Sequence, residues 1–338
     1  MDRKQLRAAA RERLKGYCRV CRRCDGRACA GEVPGMGGAG TGHGFSANIE
    51  ALAAWRFNMR TIHDVKAPTT SLRLFGLDLS MPVLAAPLTG STYNFGAPMS
   101  EADFIEAIVD GCLRAGTVGV TGDGADPTMF DSGLAALSRH GGKGGAVIKP
   151  REHAEVLERL SRAEAAGAAF VGMDIDGAGL VTMALKGQPV GPKTQAELAA
   201  VVSATKLPFL VKGVMTVEDA LAAVAAGAAG IVVSNHGGRI LDHTPGAAEV
   251  LPEIVAAVRG RITILADGGV RTGADVLKLL ALGAQAVLVG RPLVIGAVGG
   301  GAEGVALLLE AMRAELAAAM ILTGTADVSH VDPAILRR

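Results

Sequence analysis

Residues 234–242 read Ser-Asn-His-Gly-Gly-Arg-Ile-Leu-Asp and follow the apolar run Gly230 to Val233. A predicted strand therefore ends in a histidine, two glycines and an arginine. A histidine there takes a proton near neutral pH, and an arginine three residues on clamps a carboxylate with two parallel hydrogen bonds. The glycines let a planar ligand approach the backbone. Alone, a histidine at a strand end is more often a hydrogen-bonded structural residue. The neighbouring arginine and glycine pair make His236 a candidate base.

The elements that must position these residues recur eight times. Apolar runs at Pro82–Pro87, Thr117–Asp123, Gly145–Pro150, Phe170–Asp176, Pro208–Val214, Gly230–Asn235, Ile262–Gly269 and Ala286–Arg291 alternate with stretches of helical period such as Val217–Ala226 and Gly273–Leu282. Eight such βα units predict an α/β fold, a (β/α)8 TIM barrel over residues 46–338, with a helical, Cys/Gly-rich extension over residues 1–45. Seven strand ends carry groups that a buried strand does not need: Asp123, Lys149, Asp176, Lys212, His236, Asp267 and Arg291. Any one is explained by solvent beginning where a strand ends, but seven around one mouth predict a shared site. Residues 72–79 alternate around a turn and predict a hairpin plugging the opposite end.

The segments after the last two strands, Asp267-Gly268-Gly269-Val270-Arg271 and Gly290-Arg291-Pro292, fall where barrels commonly hold phosphate. Glycine N–H groups and a helix N-terminus supply donors, and Arg271 and Arg291 supply charge. One Gly-Gly turn is weak evidence. Two in the right order are stronger.

The 338 residues are 49% apolar and carry a net charge of +1, and they contain no apolar stretch long enough to span a bilayer. The charged amphipathic start, Met1-Asp2-Arg3-Lys4, is unlike a secretory leader, so the expected setting is cytoplasmic. Residues 1–30 hold ten Lys/Arg against three Asp/Glu. Such a basic arm could meet nucleic acid, but Tyr17 is its only aromatic residue, which argues against that partner. The Ala-rich stretch Ala302–Ile321 is expected to offer a subunit contact in a homo-oligomer.

Taken together, Val211-Lys212-Gly213-Val214, the run at 234–242, Asp267-Gly268-Gly269-Val270-Arg271 and Gly290-Arg291-Pro292 resemble the FMN-dependent α-hydroxy acid oxidase/dehydrogenase family, which includes glycolate and lactate oxidases. The resemblance implies FMN as cofactor and a small 2-hydroxy acid as substrate. His236 would remove a substrate proton, Asp176 would orient it and Arg239 would bind the substrate carboxylate. Lys212 would stand beside the flavin pyrimidine ring. Asp267, Gly268, Gly269, Arg271, Gly290 and Arg291 would hold the ribityl and phosphate groups, while Pro87, Leu88 and Thr89 would border the isoalloxazine.

The chain also departs from that pattern. The resemblance sets Ile148 at the place of an active-site tyrosine and Ala146 at that of a flavin-contacting glutamine, and it finds no counterpart in residues 34–44 for a second tyrosine. The loop Gly177 to Gly191 offers no second substrate arginine. Lys149 is the expected replacement cation, with Asp123, His43 and Tyr93 as further substitutes.

Cys18, Cys21, Cys24 and Cys29 fall within twelve residues and are foreign to that family's usual N-terminus. Their spacing suits a [4Fe–4S] cluster, a structural zinc, or free redox-switch thiols. An iron–sulfur centre would open a route to an electron-transfer partner. Cys112 falls in an apolar helical stretch and reads as core. Two rivals remain: another FMN barrel enzyme resembling type 2 isopentenyl diphosphate isomerase, and a flavin and metal redox sensor or electron-relay module without turnover.

Overall fold

A computed structural model describes residues 1–338. Eight parallel strands, each overlapping a predicted apolar run, form the central sheet: Val83–Ala85, Gly119–Thr121, Gly144–Ile148, Phe170–Asp174, Phe209–Val214, Gly230–Val233, Thr263–Ala266 and Ala286–Val289. The last strand pairs with the first. The Ala85 N–H donates to the Val118 carbonyl at 3.1 Å and closes the ring between the first and second strands.

Both faces of every strand are covered, which explains why the runs are continuously apolar rather than alternating. Leu84, Val120, Val147, Phe170, Leu210, Val232, Leu265 and Leu288 fill the lumen. Their neighbours Ala85, Ala146, Ile148, Val171, Val211, Ile231, Ala266 and Val289 face the helices in a second core. Each fully buried aliphatic or aromatic side chain contributes about 1.5–3 kcal/mol.

The hairpin Leu72–Leu74 and Leu77–Leu79 plugs the lower end and adds Leu74 and Leu79 to the luminal cluster. Its two turn residues, Phe75 and Gly76, have φ of 48° and 81°, as a two-residue hairpin turn demands. The bulky Phe75 holds that left-handed conformation with its ring 5.3 Å from Phe170.

The extension is anchored at both ends. Helix Arg3–Arg13, capped by Asp2 and Gln5, buries Leu6 and Ala10. Helix Arg291–Thr323 opposes it, and a Cβ on Gly299 would come within 2.5 Å of the Leu6 carbonyl oxygen. Helix His43–Ala54 runs through the expected boundary at residue 45. No helix is long and apolar enough to cross a membrane. The stretch 302–321 buries Val305, Leu309, Met312, Leu316 and Met320 inside its own chain and leaves Ile321 exposed.

Candidate active site

Strand parity decides which side chains reach the upper mouth. Val147, Phe170 and Leu210 point into the lumen, so Lys149, Asp174 and Lys212, each an even number of residues further along the same strands, point into the lumen above them. Asp174 and Lys212 are register partners. Asp174 Oδ1 stands 2.9 Å from Lys212 Nζ, and its Oδ2 accepts from Lys149 Nζ at 2.7 Å. All three residues are buried.

Burial opposes the charge on Asp174, but Lys149, Lys212 and His236 outweigh it and hold its pKa far below the ordinary carboxylate value. Burial likewise works against Lys212, yet Asp174, Asp176 and Asp267 keep its pKa above that of a free lysine. Two ammonium groups thus share one carboxylate.

His236 sits just past its strand at φ 56°, a conformation that costs a non-glycine residue energy and aims its ring back over the mouth. Its backbone N–H donates to Ser234 Oγ, and its Nδ1 lies 3.1 Å from both oxygens of Asp176. A proton on Nδ1, shared with that carboxylate, leaves the Nε2 lone pair free as a base. Room for Asp176 comes from Gly213, which lies at the irregularity between Lys212 and Val214 in the neighbouring strand. A Cβ on Gly213 would stand 2.4 Å from Asp176 Cγ.

Arg239 points into the same cavity. It donates through Nη2 to Asn94 Oδ1 at 2.9 Å and through Nη1 to the Gly35 and Gly37 carbonyls. Arg291 donates to the Met36, Gly37 and Gly237 carbonyls and lies 3.8 Å over the Phe45 ring. Arg271 bonds the Val270 carbonyl and Cys24. Each of these arginines bonds neutral groups and none has a carboxylate partner. Burial pulls Arg239 and Arg291 below the ordinary arginine range, and for Arg291 the positive neighbours Arg239 and Arg271 add to it. An anion is the missing partner of such a cluster.

Most of these groups line one cavity that opens to solvent. Its walls include Pro87, Leu88, Thr89, Lys149, Lys212, His236, Arg239, Asp267, Gly268, Gly269, Arg271, Gly290 and Arg291. Two buried polar atoms here, Asp267 Oδ1 and Arg271 Nε, lack a protein partner. A phosphorylated polyol fits both: hydroxyls for Asp267, and a phosphate for Arg271 with the glycine N–H groups. The cavity therefore fits FMN.

Several expectations need correction. The glycines of the His-Gly-Gly-Arg run make room for protein, and Gly237 also lines the cavity. A Cβ on Gly237 would stand 2.6 Å from Arg291 Nη1, and one on Gly238 would stand 2.2 Å from the Phe45 backbone N, so both glycines admit protein. Lys149 lines the cavity with its Nζ on Asp174, a carboxylate it shares with Lys212. Asp123 is locked to the buried Arg151, which donates to its two oxygens at 2.8 and 3.1 Å. His43 is exposed and stacks on His243. Ala146 and Ile148 face the helix layer, so neither directs a side chain at the site. Tyr93 does reach the cavity, with Lys186 Nζ 4.7 Å from its ring centroid.

The sequence reading missed Asp174 because it took the strand's last acidic residue, Asp176, and passed over the one two positions earlier. Parity was the available signal. It also missed Asn94, Met36 and the joint between Asn235 and Asn48, in which Asn48 Nδ2 donates to Asn235 Oδ1 at 2.7 Å. Asp242 completes that joint by accepting from the Thr41, His43 and Gly44 backbone N–H groups. The extension thus supplies one wall of the site.

A model of the FMN-dependent dehydrogenase family matches residues 35–184 and 181–338. A 2-hydroxyacid oxidase of Dictyostelium discoideum is 34% identical over 322 residues, covering 86% of this chain and 81% of that protein. An L-lactate oxidase of Alicycliphilus denitrificans is 34% identical over 335 residues, with 87% and 88% covered. The solved structure of mandelate oxidase with benzoyl-formic acid superposes with a TM-score of 0.80 at 32% identity, covering 99% of this chain and 97% of that one. A mandelate oxidase variant carrying a C4a-OH-FMN adduct gives 0.78 at 31% identity, with 98% of each chain covered.

Proposed function

The chain belongs to the FMN-dependent dehydrogenase family, and from that premise we propose that it oxidises a small 2-hydroxy acid of the L-lactate type to the 2-oxo acid. One observation carries the reading: a histidine base held by a carboxylate and a guanidinium without a carboxylate partner open into the same cavity as Lys212.

Asp267, Gly268, Gly269, Arg271, Gly290 and Arg291 would hold FMN, which would supply the two-electron acceptor. Arg239 takes the substrate carboxylate through donors not used by Asn94 and the Gly35 carbonyl. That contact sets the 2-hydroxyl toward His236. His236 Nε2 accepts a substrate proton, and Asp176 stabilises the imidazolium that results. Lys149 and Lys212 fix two ammonium groups on this side of the cavity, where negative charge develops. Leu88, Met129, Leu180 and Tyr93 give the remaining wall an apolar character suited to a short side chain.

The four clustered cysteines hold a metal centre, iron–sulfur or zinc. None of the five cysteines is in a disulfide, which leaves the four clustered ones available as thiolates. Any homo-oligomer uses a face other than the buried one of residues 302–321.

The test is the anaerobic visible spectrum of the purified protein during titration with L-lactate, glycolate and longer 2-hydroxy acids. Bleaching of the flavin band by one of them supports the reading. A flavin band that none of them bleaches overturns the substrate class.

A further inference from the structure

We propose that Cys18, Cys21, Cys24 and Cys29 bind a [4Fe–4S] cluster seated directly behind the flavin cavity. This assignment deepens the metal-centre reading and rests on it. The family match begins at residue 35, so the cysteines lie outside it.

The four cysteines line one enclosed pocket together with Val20, Met36 and Arg291. The chain reaches that arrangement by two reversals, at Val20 with φ 46° and at Gly26 with φ 85°, which fold the loop around a common centre. Gly26 is required there, because a Cβ would stand 2.6 Å from the Phe45 ring. Zinc asks for a tighter set: at a Zn–S distance of about 2.3 Å, tetrahedral thiolates stand about 3.8 Å apart. The one trio of metal-capable side chains whose ligand atoms lie within 4.8 Å of one another is Asp174, Asp176 and His236, and the cysteines form no such trio. A cube holds each thiolate on a separate iron and so takes four thiols lining one pocket. The Cys-x-x-Cys-x-x-Cys run matches that use.

Charge supplies an independent argument. Four thiolates on a [4Fe–4S] core carry a net negative charge that a buried site must balance. Arg7 donates to the Val20 and Cys21 carbonyls, and Arg11 donates to those of Arg19 and Val20. Arg271 Nη2 lies 3.4 Å from both the Cys24 carbonyl oxygen and Cys24 Sγ, and Arg291 borders the pocket. None of these four arginines has a carboxylate partner, and Asp25 is the one carboxylate among the pocket's lining residues. The Val20 N–H points at Cys18 Sγ from 3.4 Å, the kind of donor that tunes a cluster sulfur.

The position has a consequence for the active site. Met36 and Arg291 wall both the cysteine pocket and the flavin cavity. The Gly31 N–H donates to the Gly38 carbonyl and ties the cysteine loop to the arm whose carbonyls seat Arg239 and Arg291. A cluster cross-linking that loop fixes the arm.

The test is iron, acid-labile sulfide and zinc per chain in full-length protein purified without oxygen, with low-temperature electron paramagnetic resonance after dithionite reduction. The expected result is about four iron and four sulfide per chain, with a signal on reduction. Cys21→Ser and Cys29→Ser should each lose more than about half of the iron, while Cys112→Ala keeps it. Zinc near one per chain without sulfide overturns the cluster and leaves a metal centre. Metal no higher than in a Cys18→Ser/Cys24→Ser double variant overturns both. Released FMN, measured on the same samples, reports separately on the barrel's cofactor site.

Discussion

Replacing Arg239 by methionine removes the guanidinium and keeps most of its apolar stem, so it isolates the contribution of the charge. The guanidinium has five N–H donors. Three protein acceptors, Asn94 Oδ1 and the Gly35 and Gly37 carbonyls, engage Nη1 and Nη2 and leave donors for a carboxylate. Two charge-assisted hydrogen bonds at about 1.5–3 kcal/mol each give about 3–6 kcal/mol, or roughly 10²–10⁴ in kcat/KM. Part of any measured loss would come instead from the stranded Asn94 and Gly35 acceptors. A cycle separates the two contributions: single-turnover flavin reduction by a 2-hydroxy acid and by its amide, in the natural protein and in Arg239→Met. The natural protein should prefer the acid by roughly 10²-fold or more, and the variant should lose most of that preference. Equal rates for acid and amide in the natural protein, or an unchanged preference in the variant, would refute the assignment of Arg239 to the carboxylate.

Asp174→Asn should cost about 3–5 kcal/mol in urea unfolding at neutral pH, because Lys149 and Lys212 lose their shared counter-charge. Asp174 is held below its unfolded pKa, so its contribution is complete above pH of about 4. The stability gap should therefore shrink as pH falls below that value toward the depressed folded pKa, and a gap that widens in acid would contradict the pairing. His236→Gln should lower the rate of flavin reduction by about 10²–10⁴ while leaving flavin content unchanged; loss of flavin instead would make the histidine a cofactor-site residue. Arg271→Met should weaken FMN far more than riboflavin, so equal losses on a fluorescence titration would remove Arg271 from the phosphate site. Gly213→Ala should push Asp176 away from His236 and lower the reduction rate, with FMN affinity as the control.

The barrel and half of the site were legible in the chain because both rest on local rules. Strands buried on two faces must be continuously apolar, and barrel geometry puts their polar ends at one mouth, so the eight runs and His236, Lys212, Asp267 and Arg291 could be read in order. Local order says much less about who pairs with whom. Lys149 and Lys212 are 63 positions apart, and only the register between strands makes them share Asp174. The wall that seats Arg239 comes from Gly35, Gly37 and Asn94, the first two of them more than two hundred residues away in a segment whose sequence shows chiefly glycine. The same distinction holds for the cysteines. Their spacing fixed which chemistries were open to them, whereas the folded loop brought them to one pocket, faced them with arginines from two distant helices' ends and set them against the flavin cavity, because contacts between remote segments exist only once the chain has packed.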